Sequence, residues 1–248
     1  MYNVSKINEL GKLMKDLLDL NGSPVGVKLI RHKDEYNSSL KIKNMRYCQA
    51  LMMARYGTPI LLDEKSLICP AASRAFGFRD LPEGLKSGKG LVCFGITKVD
   101  EVGKNMFENM PHLEKGKISY IELYPLENIE KAPDVVVVED EVEKLMWVNL
   151  AYLNNKKGER IVSSTSVLQA TCVDSTVVPY LNKKLNFSFG CYGCRDATDI
   201  KAGEAVLGFP IEDLEGIVTH LEYLSKKAMP NSRTKKTFKM FQQQIKNG

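Results

Sequence analysis

Apolar residues fall at helical spacing across residues 4–19, where Ile7, Leu10, Met14, Leu17 and Leu18 line one face between polar neighbours. That stripe predicts an amphipathic helix, which Asn21-Gly22-Ser23-Pro24 ends. Val25 to Ile30 then reads as a strand, 44–56 as a helix stopped by Gly57 and Pro59, and Ile60 to Ile68 as extended. After Cys69-Pro70 comes a short helical piece carrying Arg74. Leu91 to Ile96 reads as a strand and 100–110 as a helix. Ile118 to Tyr124 and Val135 to Val138 are rich in branched and aromatic residues and predict strands. A helix is expected over 140–154, which makes Glu139-Asp140-Glu141 an acidic helix opening favoured by the dipole. The last third predicts a helix at 165–182, strands at 185–189 and 204–209, and helices at 211–227 and 231–246. Ser163 to Ser166 read as an N-cap cluster.

Two stretches of this pattern resemble each other. CQALMMARYGTPILLDEKSLICPAASR (48–74) and LQATCVDSTVVPYLNKKLNFSFGCYGCR (168–195) pair Gln49-Ala50 with Gln169-Ala170 and Pro59 with Pro179. They also pair Cys69 with Cys191, with Arg74 and Arg195 following. GLVCFGI (90–96) pairs with EAVLGFP (204–210), and PVGVKLI with PDVVVVE as entry strands. The fold class expected is therefore α/β (α+β). It is a single domain over 1–248, built from two duplicated β-α-β-β-α-like halves, 24–110 and 133–227, related by a pseudo-twofold. Residues 228–248 form a basic C-terminal helix or tail.

Composition changes this picture little: 44% hydrophobic and 26% charged residues are those of an ordinary globular chain. No apolar run reaches the roughly 18 residues of a membrane span, and no secretory signal opens the chain, so a cytoplasmic protein without a membrane partner is expected. The net charge of +5 is local. Seven basic and no acidic residues follow from Lys226 onward, leaving the remainder at net −2. We read this tail as a solvated helix docked through Phe238, Met240 and Phe241, because no nucleic-acid-binding motif accompanies it.

The six cysteines change the picture most. In a reducing compartment they do not suggest a disulfide framework. Cys93, inside an apolar run, reads as a packing residue. Cys69 and Cys191 end equivalent strands. Cys48 and Cys172 are offset by four residues in the pairing, one helical turn, and so share a face of equivalent helices. A pseudo-twofold would bring these thiols together, with Cys194 beside Cys191. Cys191-x-x-Cys194 can bind one metal or carry out thiol–disulfide exchange. Four scattered thiolates suit an iron–sulfur cluster, [4Fe–4S], best. Zinc and no metal remain as alternatives, as does a cofactor-free thiol pair or a non-catalytic binding module. Arg74 and Arg195, with Gln49 and Gln169, are candidates to hold a small anionic ligand. An electron-donor protein is a further expected partner. The three histidines lack metal-ligand spacing, and Gly88-Lys89-Gly90 lacks a full phosphate-binding motif.

With YCQALMMARYG, CPAASRAFGF, VVVVEDEVEKLMW, SSTSVLQATCVDS and FGCYGCRDATD in order, the chain resembles the uncharacterised archaeal cysteine-rich family, domain of unknown function 169 (DUF169), over about 5–225. The resemblance implies a single cytoplasmic domain in which Cys-Tyr-Gly-Cys-Arg matters. It is associated with anaerobes, a habitat compatible with an oxygen-sensitive cluster. It supplies no catalytic residues.

Overall fold

The computed structural model describes residues 3–247, so Met1, Tyr2 and Gly248, the ends of the expected domain, lie outside it. Asn3 caps α1 (Val4–Leu18) by accepting from the Ser5 and Lys6 N–H groups. Its buried face carries Ile7, Met14 and Leu18, the stripe expected from spacing. The chain continues through β1 (Val25–Ile30), α2 (Tyr47–Arg55), β2 (Ile60–Asp63), α3 (Pro70–Ala75), α4 (Glu83–Lys86), α5 (Lys89–Cys93), α6 (Asp100–Glu108) and β3 (Tyr120–Pro125). After a 3-10 turn at Leu126–Asn128 come β4 (Val135–Glu141), α7 (Val142–Asn155), a π-helix at Ala170–Val177 and α8 (Val178–Asn182). Then follow β5 (Asn186–Ser188), α9 (Tyr192–Ala197), β6 (Glu204–Pro210), a 3-10 turn at Ile211–Asp213, α10 (Leu214–Lys226), α11 (Ala228–Arg233) and α12 (Lys236–Asn247).

The strands form one open sheet in the order β2-β3-β1-β4-β6-β5, every pairing antiparallel. The class is therefore α+β. β1 and β4 meet at the centre, with Gly26 opposite Val136, and the order on one side mirrors that on the other. Alternation along the strands divides the core between the two faces. Val135, Val137 and Val206 face α2, α3, α6 and the π-helix, while Val136, Val138 and Leu207 face α1, α7 and α10. Each buried Val, Leu or Ile contributes about 1.5–3 kcal/mol, so both faces stabilise the sheet.

Several expectations are corrected. Residues 91–96 are no strand: Leu91 ends inside α5, and the counterpart of β6 in the sheet is β3. Both β3 and β6 end in a proline that starts a 3-10 turn. The expected strand over 60–68 stops at Asp63, whose carboxylate caps a turn through the Lys65 and Ser66 N–H groups. The expected helix at 165–182 begins only at Ala170. Ser163 and Thr165 are not caps: Ser163 bonds Asn186, and Thr165 bonds Asp174. Glu139, Asp140 and Glu141 end β4, with Glu141 also the N-cap of α7, but the first two are buried rather than solvated. Cys93 is exposed, not packed.

Candidate functional site: a cysteine-lined cavity

A cavity of about 380 Å³ opens on the α2 face of the sheet, and Cys48, Cys69, Cys172, Cys191 and Cys194 all line it. Four separate elements deliver them. Cys48 stands in the first turn of α2, Cys172 in the π-helix, and Cys69 and Cys191 are the N-caps of α3 and α9. Cys194 lies one turn into α9. The walls are apolar: Leu85, Leu91, Ile96, Phe107 and Leu168, with Ile68 and Phe94 more exposed toward the mouth.

The π-helix reaches the cavity because β6 lets it approach. A Cβ at Gly208 would stand 1.8 Å from the Ser175 carbonyl oxygen, so only glycine admits this backbone contact. Gln169, ahead of the π-helix, is left-handed (φ 51°), as is Val167 (φ 51°), an unfavourable conformation for a branched residue. π-turns and such backbone are costly and recur at functional sites. The Thr176 hydroxyl holds the wide turn by donating to the Thr171 carbonyl at 2.8 Å, and it shares a hydrogen bond with the Tyr47 hydroxyl of α2.

Electrostatics separates the five thiols. Burial pushes Cys48 up to about 12, helped by the neighbouring Cys191 and Cys69. Burial raises Cys172 further, reinforced by Cys69, Cys191 and Cys48. Cys69 and Cys191 thus stand close enough to raise both Cys48 and Cys172. Cys194 pairs with Cys191 alone. Its sulfur lies 3.0 Å from the Cys191 N–H and 3.1 Å from the Cys191 carbonyl, while the Cys194 N–H donates to the Cys191 sulfur at 3.3 Å. The Cys194 thiol, then the N–H groups of Ala170, Cys194 and Gly193, lower Cys191 to about 6 against burial. The same bond and burial raise Cys194. Cys191 is the natural thiolate, and Cys194 the thiol that steadies it.

The other expected site residues do not converge on this cavity, with one exception. Gln169 lines it. Gln49 is committed to structure: its side chain accepts from the Arg46 N–H at 2.9 Å and donates to the Ala197 carbonyl at 3.1 Å, tying α2 to α9. Arg195 donates to the Phe189, Lys201 and Glu204 carbonyls, folding back beneath the left-handed Gly190. Arg74 turns to His112, 2.8 Å away, and lines a separate surface depression. No arginine clamp across the halves forms, because these guanidiniums are spent on other partners.

Spacing missed two features. Arg46 lines the cavity, donates to the Gly193 carbonyl at 3.3 Å and pairs with Asp196 at 3.6 Å. No motif marks it. Beneath α2, buried Arg55 binds Glu139 at 3.1 Å and Glu204 at 2.6 Å. A basic residue four positions after Leu51, on the apolar face of a helix, is the signal that could have revealed it. Burial raises Glu139 to about 7 despite Arg55, whereas the Arg55 hydrogen bond and the Lys201 N–H outweigh burial and lower Glu204.

Among the described residues, no group of three or more His, Cys, Asp or Glu side chains is arranged to hold a metal ion, and no helix is long and apolar enough to cross a membrane. The model of a family described as uncharacterised ArCR matches residues 13–220. An uncharacterised protein of Methanocaldococcus jannaschii is 31% identical over 232 residues, covering 89% of this chain and 96% of that protein. No solved structure matches the chain.

Proposed function

Because the chain belongs to the uncharacterised ArCR family, whose description assigns no reaction, we propose a function from the cavity itself: Cys48, Cys69, Cys172 and Cys191 hold a [4Fe–4S] cluster in a cytoplasmic redox or sulfur-handling protein. One observation carries the reading. Four thiols from four elements line one cavity, close enough that Cys69 and Cys191 push up both Cys48 and Cys172. A single zinc ion fits less well. Structural zinc favours paired close spacings. Here only Cys191-x-x-Cys194 is such a pair, while the other thiols come from separate elements, a scatter that suits a cluster better. Cys194 is the spare thiol: it lines the cavity too, but is bonded to Cys191. When bound, the cluster would supply electron exchange with a donor protein, and Arg46 replaces Arg74 and Arg195 as the cation nearest a small anionic ligand.

The internal duplication belongs to the same reading. The mirrored strand order, the paired N-cap cysteines and the proline-to-3-10 endings of β3 and β6 support two equivalent halves.

A second reading rests on the Cys191–Cys194 pair. The Cys191 thiolate attacks a substrate disulfide and expels one thiolate as a mixed disulfide forms. Cys194 then loses its proton and displaces the second substrate thiol, so the substrate gains the two electrons the pair loses. The two readings part on colour. Anaerobically purified protein is expected to be brown, with about four iron and four acid-labile sulfide per chain. Protein that stays colourless and metal-free after anaerobic reconstitution sinks the cluster and leaves the thiol pair.

A further inference from the structure

The C-terminal helix carries an apolar stripe that the body does not cover. Phe238, Met240 and Phe241 were expected to dock it, yet Phe238 is 57%, Phe241 55% and Ile245 64% exposed. Lys235, left-handed at φ 51°, separates α12 from α11. At 100° per residue, Phe238, Phe241 and Ile245 fall within about 60° of one another, with Lys236, Lys239 and Lys246 on the flank and the far side. The family match ends at residue 220, ahead of this helix.

We propose that α12 is a surface anchor for anionic lipid, lying in the headgroup plane with Phe238, Phe241 and Ile245 inserted and its lysines above. Charge decides the occupant. From Lys226 onward all seven charged residues are positive, which matches a negative headgroup layer. A second copy of α12 laid against the first would bring like charges together with no acidic partner. Nucleic acid needs base-stacking aromatics beside the cations, and here the two phenylalanines stand on the face away from the lysines. A basic helix with an aromatic and aliphatic stripe is the pattern of interfacial helices.

The full chain would be sedimented with neutral phosphatidylcholine vesicles and with vesicles containing about one-third phosphatidylglycerol. The expected result is at least tenfold stronger partitioning to the anionic vesicles, lost in high salt. The F238S/F241S/I245S variant and a Lys-to-Gln variant at 235, 236, 239 and 246 each lose it, while their far-UV dichroism away from the tail is unchanged. These positions are exposed, so neither variant should disturb the core. Equal sedimentation with both vesicles, none with either, or an undiminished F238S/F241S/I245S variant overturns the proposal. So does a wild-type dimer that the same variant dissolves without any vesicle binding.

Discussion

The two cysteine turns occupy matching places and are built differently. Cys69 and Cys191 each cap a six-residue helix that faces the same cavity. Behind Cys69 comes Pro70, which has no N–H to offer, and no side-chain cap bond forms there. Behind Cys191 come Tyr192, Gly193 and Cys194, and the two cysteines bond reciprocally. The first turn therefore gives its sulfur no hydrogen bond from its own helix. The second stabilises its own thiolate before anything arrives. Two helix N-caps on one cavity thus present two kinds of thiol, and that asymmetry is what a ligand set and a self-contained reactive pair would each have to explain.

The harshest way to break the comparison is to separate the two turns. Arg55, the last residue of the helix that carries Cys48, holds Glu139 on β4 and Glu204 on β6, the strand that follows the Cys191 turn. Removing it leaves two carboxylates buried without their cation. Arg55→Leu is expected to lose about 3–5 kcal/mol in denaturant unfolding. A loss below about 1 kcal/mol would mean that the network does not tie α2 to β4 and β6.

The same network gives a pH signature of somewhat smaller size. Glu139 is raised to about 7 in the fold from an ordinary 4.5. Between those values the folded state holds a proton that the unfolded state has lost, so stability falls as pH rises, by at most about 3 kcal/mol. Below 4.5 the penalty is absent, and above about 7 it is complete. Glu204 is lowered, so its contribution is lost as pH falls below its ordinary value. Glu139→Gln should therefore flatten the decline between pH 4.5 and 7 and leave the acid limb in place. A wild-type decline that persists unchanged in this variant would refute the assignment.

Serine substitutions compare the turns directly. Cys48→Ser, Cys69→Ser, Cys172→Ser and Cys191→Ser are each expected to lower bound iron about tenfold after anaerobic reconstitution, whereas Cys194→Ser keeps most of it. Should Cys69→Ser retain iron as Cys194→Ser does, the two turns are not equivalent and the cluster reading fails at that position.

How far the chain could be read follows from where its signals are local. The alternating and branched runs at 25–30 and 135–138 and the stripe of α1 have unambiguous periods, and each became the expected element. GLVCFGI did not, because a short apolar run fits a strand and a buried helical turn equally, and packing against α6 decided the matter. The cysteines were legible because their spacing along two similar stretches of sequence pointed to one place, and all five line one cavity. The arginines were not, because spacing cannot show where a long side chain spends its donors: Arg195 spends three on carbonyls and Arg74 meets His112. Glu139 and Asp140 were misplaced for a related reason. An acidic run normally marks a solvated helix start, and here Arg55 and Asn21, distant in sequence, together with Lys144 one turn on, make the burial tolerable.

The smallest expected effect isolates what Cys194 adds. In metal-free, reduced protein, the Cys194 thiol is the largest cause holding Cys191 in its thiolate form, ahead of the N–H groups around it. Cys194→Ala removes that donor but leaves the backbone of α9, so alkylation of Cys191 by iodoacetamide at neutral pH should slow about three- to tenfold. Cys194→Ser restores a short donor at the same place and should recover most of the rate. Peptide mass mapping separates Cys191 from the exposed Cys93, which reacts in every variant and serves as the internal standard. If Cys194→Ala leaves the Cys191 rate unchanged, the N–H groups alone hold the thiolate. The second turn would then differ from the first only in its backbone, by Tyr192-Gly193 where Cys69 has Pro70-Ala71, and not in its chemistry.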